Sequence, residues 1–241
     1  MQQGFCLRFL IGVIGVFVLI GYSSIDTLLQ LCRDIRIQPN EFHIIFLLEA
    51  LTSDTVSPFV AIVSALPFSS NYVDEVKSKF ARFSMLRTNY STYLLSRIIA
   101  CFLLGGAVIL AGVLVTYFIS TLAFLPMEEA ADNEESQLSE FIKQCVLLFL
   151  NGGLWAVVGM TMSTVMESKY ISYASPFSVY YLLVILYERY FPDAWLLCPK
   201  NWMNPDIWPY GVGSAALFLL ELTFLCGLVF YIRGKRRLEQ L

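Results

Sequence analysis

Long apolar stretches alternate with short polar segments along most of the chain. A bilayer core about 30 Å thick is crossed by about 20 apolar residues in a helix. Six stretches reach or approach that length, and together they predict an all-α, multi-pass membrane protein with one domain over 1–241. The predicted spans are about 7–29, 43–68, 90–118, 141–166, 171–187 and 209–232.

Composition supports the membrane assignment. The chain has 241 residues, of which 57% are hydrophobic and 15% are charged. Soluble domains carry about 25% charged residues, so this chain has too few to cover a surface that faces water.

The basic residues predict the orientation of the spans. Cytoplasmic loops of membrane proteins are enriched in Lys and Arg. If the N-terminus is inside, the inner segments hold ten Lys and Arg residues and the outer segments hold five. Both termini are therefore expected in the cytoplasm.

Residues 71–88, between the second and third predicted spans, form an amphipathic connector. Val73, Val76, Phe80 and Phe83 recur at spacings of three and four residues, as on one stripe of a helix. The charged residues lie elsewhere around the same helix, namely Glu75, Lys77, Lys79 and Arg82. This pattern predicts a surface helix that a soluble partner can contact. The alternative is a basic helix that holds anionic lipid.

The predicted outer segments have two distinctive compositions. Residues 127–140 contain six acidic residues and no basic one, which fits either a solvated loop or a surface that attracts cationic ligands. Residues 189–208 contain three of the four tryptophans, which is typical of an interfacial aromatic belt. A disulfide between Cys32 and Cys198 remains open at this point.

Ionisable and polar side chains within the spans are the candidates for a substrate path. Glu49 and Asp54 interrupt the second span, and Glu221 lies near the middle of the sixth, with no Lys or Arg at matching depth in the sequence. Asn151 in the fourth span joins this set. The alternative for Glu49 and Asp54 is that they face the outer interface.

Small residues in the third and fourth spans are typical of close helix packing or of an interface with a second copy. They are Gly105, Gly106, Gly112, Gly152, Gly153 and Gly159.

No motif for nucleotide hydrolysis, metal binding or nucleophilic catalysis occurs in the sequence. There is no G-x-x-x-x-G-K-[ST] loop, no G-x-S-x-G, and a single histidine, His43. We therefore expect no catalytic residues, no metal site and no cofactor in this chain, and any ATP chemistry must come from a partner.

The connector resembles that of a known family. Glu75 is followed by Lys79-Phe80, by Leu86-Arg87-Thr88 and, as the third span opens, by Tyr93-Leu94 and Ser96-Arg97. This order is similar to the permease subunit of bacterial ATP-binding-cassette exporters of the type-two class. The chain has Lys79 where that family often has Gly, and Asn89 where it often has Pro.

The resemblance implies a transport subunit of the bacterial cell membrane. Two permeases, identical or homologous, would pair in the lipid, and each would dock a cytosolic ATPase that binds ATP and Mg. The coupling residues implied are Glu75, Lys79, Phe80, Arg82, Arg87 and Thr88. The expected substrate is hydrophobic or cationic, for example an antimicrobial peptide, with no role for nucleic acid. The alternatives are a membrane immunity or scaffold protein and an intramembrane enzyme that uses Glu49, Asp54 or Glu221.

Overall fold

The computed structural model describes residues 2–25, 27, 29, 41–80, 88–124 and 137–239. These residues form helices and turns, with no strand among them, which confirms the all-α prediction. The α-helices are α1 (Gln2–Ser23), α2 (Phe42–Thr52), α3 (Val56–Ala65), α4 (Asn71–Lys77), α5 (Tyr90–Phe124), α6 (Leu138–Met166), α7 (Lys169–Arg189) and α8 (Val212–Glu239). Three short 3₁₀ helices lie between α7 and α8, at Trp195–Leu197, Pro199–Met203 and Pro205–Ile207.

Five of these helices are long and apolar enough to cross a membrane, namely α1, α5, α6, α7 and α8. The count rises to six if α2 and α3 together form one broken span. The prediction of a multi-pass membrane protein is therefore confirmed at this level.

The second predicted span, 43–68, is not one continuous helix. α2 and α3 meet at an angle of 81°. Ser53, in the turn between them, directs its hydroxyl back to the Ala50 carbonyl at 2.7 Å, a local bond that competes with helix continuation. Pro58 has no N–H to give to a preceding carbonyl. These two features account for the break.

Contacts at the two ends of the bundle show which helix ends lie together. At the end that carries α4, called the connector end, Arg8 of α1 donates to Ser70 at 3.2 Å, and Gly234 of α8 lies beside Tyr72. At the far end, Glu41 accepts a hydrogen bond from the Gln137 backbone N–H at 2.6 Å. The α2–α3 pair therefore enters at the far end and leaves at the connector end. α1 begins and α8 ends at the connector end.

The glycines of α5 and α6 pack inside this one chain. A Cβ added at Gly105 would lie 2.3 Å from the Ala156 Cβ and 2.9 Å from the Gly152 carbonyl oxygen. A Cβ added at Gly112 would likewise lie 2.4 Å from the Cβ of Val16 in α1. These glycines let the helix backbones approach each other, as the packing interpretation predicted.

The 3₁₀ segment is part of the core rather than an interfacial belt, which corrects the prediction for two of its tryptophans. Trp202 and Trp208 are buried, and Trp202 stacks on Trp155 of α6 with ring centroids 5.8 Å apart. Their indole N–H groups donate to backbone carbonyls of the segment itself at 2.8 and 2.9 Å. Cys198, also buried here, is a free thiol, and Cys32 lies outside the described residues.

Candidate functional site at the connector end

α4 is a short helix whose apolar side is buried against the transmembrane helices. Tyr72, Val73 and Val76 are buried, and the Tyr72 ring meets Phe230 of α8 edge-on with centroids 4.9 Å apart. The predicted stripe is therefore correct for Val73 and Val76. It does not extend to Phe80, because α4 ends at Lys77.

The Glu75 carboxylate is directed into the protein. It accepts a hydrogen bond from the Tyr93 hydroxyl at 2.5 Å and forms an ion pair with Arg97 at 2.7 Å. Tyr93 and Arg97 are four residues apart on α5, so they share one face of that helix. We expected Glu75 to be presented to a soluble partner. The structure differs because the half-buried Arg97, 21% exposed, takes the carboxylate as its counter-charge.

The Arg97 guanidinium is enclosed by aromatic rings as well as by the carboxylate. Its central carbon lies 5.1 Å from the centroid of the Tyr93 ring and 5.7 Å from that of Phe68, both within range of a cation–π interaction. The charge is thus neutralised within the protein, and the connector is fixed to the third predicted span.

Further hydrogen bonds attach the connector to two other helices. The Ser70 hydroxyl, which precedes α4, lies 2.8 Å from the Tyr173 hydroxyl of α7 and accepts from Arg8 of α1. Through α4 and Ser70, the connector contacts α1, α5, α7 and α8. A displacement of α4 would therefore act on several transmembrane helices at once.

The hydroxyl of Tyr72 is a buried group with no hydrogen-bond partner among the described residues. Burial raises the pKa of Tyr72 to about 12, against the opposing effect of Arg237. The ring therefore serves as a neutral packing group between α4 and α8.

The end of the connector is exposed. Lys77, Ser78, Lys79 and Phe80, here called the connector tip, all face outward, and the Phe80 ring is 45% exposed. Lys79 has a φ of 61°, the left-handed conformation that favours glycine. Two cations and an aromatic ring thus project at one point.

The remaining predicted coupling residues are only partly described. Thr88 is exposed just before α5, and Arg82 and Arg87 lie outside the described residues, as does Phe83.

The four predicted substrate-path residues lie in different surroundings. Asp54 is 79% exposed and is paired at 3.1 Å with Lys200, which follows α7 in the last predicted outer segment. Glu49 is exposed at the far end, and Asn151 is buried in α6 with its Oδ1 unpartnered. Glu221 is exposed on α8. The structure does not combine them into one path.

Sequence reasoning missed the partners of Glu75. Arg97 lies seven residues inside an apolar stretch, and a charge at that depth needs a counter-ion. The charge of Arg97 therefore indicated a nearby carboxylate. Nothing in the sequence indicated that Tyr93 bonds to Glu75, or that Ser70 attaches the connector to α1 and α7.

No protein-family model, curated protein or solved structure matches this chain. The function is therefore argued from its own residues.

Proposed function

We propose that this chain is the permease subunit of an ATP-binding-cassette exporter of the type-two class in a bacterial cell membrane. A separate cytosolic ATPase, which binds ATP and Mg, docks on the connector tip. The observation that carries the proposal is the construction of the connector. Its inner side is fixed to α5 by the Glu75–Arg97 ion pair, and its tip is cationic, aromatic and exposed.

The course of the chain supports six crossings. The α2–α3 pair enters at the far end and leaves at the connector end, so it completes one pass beside α1, α5, α6, α7 and α8. Six passes return the C-terminus to the side of the N-terminus. The ten-to-five excess of Lys and Arg then assigns the connector end to the cytoplasm.

The connector contacts supply a route for mechanical coupling. Breaking a buried ion pair by removing one partner costs about 3–5 kcal/mol, so α4 and the start of α5 are expected to move together. Closure of the ATPases would press on the tip and tilt α5, while the Ser70 bonds carry the displacement to α1 and α7. A hydrophobic or cationic substrate would then pass between two permeases.

The exposed face of α8 supports pairing with a second permease. Glu221 lies there among apolar residues that are also exposed, namely Leu217, Phe224, Leu225 and Leu228. It has no partner within the described part of the chain. A charged side chain near the centre of a lipid-facing helix costs about 2.5–3.5 kcal/mol on insertion scales. A second permease on this face would remove that cost.

Purification from native membranes tests the proposal. The tagged chain is expected to bring down an ATP-hydrolysing companion in a fixed ratio, with hydrolysis that depends on the connector tip. The double variant Lys79→Glu, Phe80→Ala should lose the companion, or lower its hydrolysis at least fivefold, while the protein still inserts. Arg236→Glu, an exposed charge at the same end, is the matched control and should have no effect.

Two results would contradict the proposal. Purification without any ATPase, together with tight binding of a ligand, would indicate an immunity or scaffold protein. Turnover of a substrate by the chain alone would indicate an intramembrane enzyme.

A further inference from the structure

A second feature lies at the far end of the bundle, away from the connector. A cavity of about 630 Å³ lies between α2, the start of α6 and the chain that leads into α8. Ile45, Leu48, Glu49 and Thr52 of α2 line one side of it. Their spacing is that of one helix stripe, and the opposite stripe of α2 is buried in the core. α2 therefore separates the cavity from the core.

The cavity carries charged groups that the described part of the chain does not neutralise. Glu49 and Glu140 contribute two carboxylates, and Lys143 contributes one ammonium group. None of the three has an ion-pair partner within the described part of the chain. All three residues are exposed, and the lining charge is negative by one, which favours the approach of a cation.

A buried amide provides an independent indication of a ligand. Gln144 also lines the cavity, its side chain is 2% exposed, and its Nε2 has no hydrogen-bond partner among the described residues. Buried polar groups in folded proteins are normally paired. An oxygen acceptor on a bound molecule would satisfy this donor once the Gln144 side chain turns towards the cavity, because the Nε2 atom is closed to solvent in this conformation.

We propose that the cavity binds an amphiphile whose polar end carries a primary ammonium group beside a carbonyl or phosphate oxygen. The ammonium group is placed by Glu49 and Glu140, and the oxygen by Gln144 and Lys143. Ile45, Leu48 and Val212 provide an apolar surface for the hydrocarbon part. Such a polar end occurs on soluble amines and on the ethanolamine headgroup of lipids.

The neighbouring sequence favours the approach of cations. Five acidic residues precede Gln137, which also lines the cavity, within the ten residues 127–136. Charges of one sign tethered near a site raise the local concentration of oppositely charged ligands. The inference goes beyond the proposed function, because it concerns the opposite end of the bundle and needs no ATPase.

A small probe molecule tests whether the cavity binds an ammonium group, with the protein in phosphatidylcholine nanodiscs and without an ATPase. The octyl amide of glycine has one ammonium group beside one carbonyl, and in its N-acetylated form a neutral acetamide replaces the ammonium group. The charged probe is expected to bind at least tenfold more tightly, and Glu49→Gln with Glu140→Gln should remove that difference. Glu188 is an exposed acid outside the cavity, and Glu188→Gln should leave the difference between the two probes unchanged. Equal binding of the two probes would overturn the proposal.

Gln144→Leu separates binding from folding. Because its Nε2 is unpartnered, the leucine variant should melt no lower than the parent while binding the probe at least threefold more weakly. Unchanged binding would overturn the role of the amide. Replacing part of the phosphatidylcholine by phosphatidylethanolamine then identifies the source: competition with the probe indicates a lipid headgroup, and its absence indicates a soluble amine.

Discussion

The Glu75–Arg97 pair determines how the connector responds to substitution, because both charges are largely withdrawn from water. Replacing Glu75 by Arg would put two cations together in a buried site. We expect a loss of about 3 kcal/mol or more in unfolding free energy, and recovery of at least half in the swap Glu75→Arg, Arg97→Glu. Melting of the detergent-purified proteins measures both. A swap no more stable than the single variant would show that the pair is not the dominant contact.

Two tyrosines of the connector site form a matched comparison. Tyr93→Phe removes the hydrogen bond to a charged Glu75 and should cost about 2 kcal/mol. Tyr72→Phe removes a hydroxyl with no partner among the described residues, so it should not destabilise the protein at neutral pH, because it relieves a desolvation cost of about 1–3 kcal/mol. Equal losses in thermal melts would contradict the hydrogen-bond assignments.

Alkaline pH distinguishes the Tyr72 variant further. The pKa of Tyr72 is raised from 10 to about 12, so the stability that it contributes as a neutral group is complete below pH 10. That contribution is lost as the pH rises towards 12, and Tyr72→Phe should lack this part of the alkaline loss.

Burial that follows the helical period could be predicted from the sequence, whereas contacts between distant positions could not. Val73 and Val76 repeat with the helical period, so their burial could be predicted from spacing alone. The direction of Glu75 could not, because its partners are 18 and 22 positions away and only the packing of α4 on α5 brings them together. The same holds for Asp54 and Lys200.

At the scale of elements, the α5–α6 contact depends on the absence of side chains. Gly105→Ala would insert a methyl group against Ala156 and the Gly152 carbonyl, which should cost about 2 kcal/mol through overpacking. Gly213→Ala in α8 meets nothing within 4 Å and is the matched control. Thermal melts that rank the two variants equally would contradict the close approach of these helices.

The long helices could be predicted because about 20 consecutive apolar residues permit few other structures in lipid. The shape of the second stretch could not. Its polar interruption and Pro58 were visible in the sequence, but they do not give the angle between the two helices, which is 81° in the structure. The tryptophans of the 3₁₀ segment show the same limit, since an aromatic-rich segment has one composition whether it lies at the interface or in the core.

For the whole molecule, the proposed six-pass arrangement would place the connector tip and the far end on opposite sides of the membrane. Single cysteines at Lys79 and Lys200 should therefore react oppositely with a membrane-impermeant maleimide. In intact cells Lys200→Cys should label above the background of the parent chain, and Lys79→Cys only after permeabilisation. Labelling of Lys79→Cys in intact cells would exclude a cytosolic ATPase at this site.

Pairing through α8 predicts a cross-link between two copies if the second permease is identical. Leu225 lies one turn from Glu221 and is 56% exposed, so Leu225→Cys should form a dimer on mild oxidation in membranes. Leu182→Cys, on the exposed face of α7, is the control and should remain monomeric. The reverse pattern would place the partner on α7.

The break between α2 and α3 has a consequence for how this part of the chain meets lipid. α3 has 10 residues and is about 15 Å long, half the thickness of a typical hydrocarbon core. If the pair forms one pass, as proposed, α2 and irregular backbone occupy the rest of it. Irregular backbone is tolerated at such depth only when protein encloses it. The helices packed around α3, namely α5, α6 and α7, must therefore shield the turn between α2 and α3 from lipid.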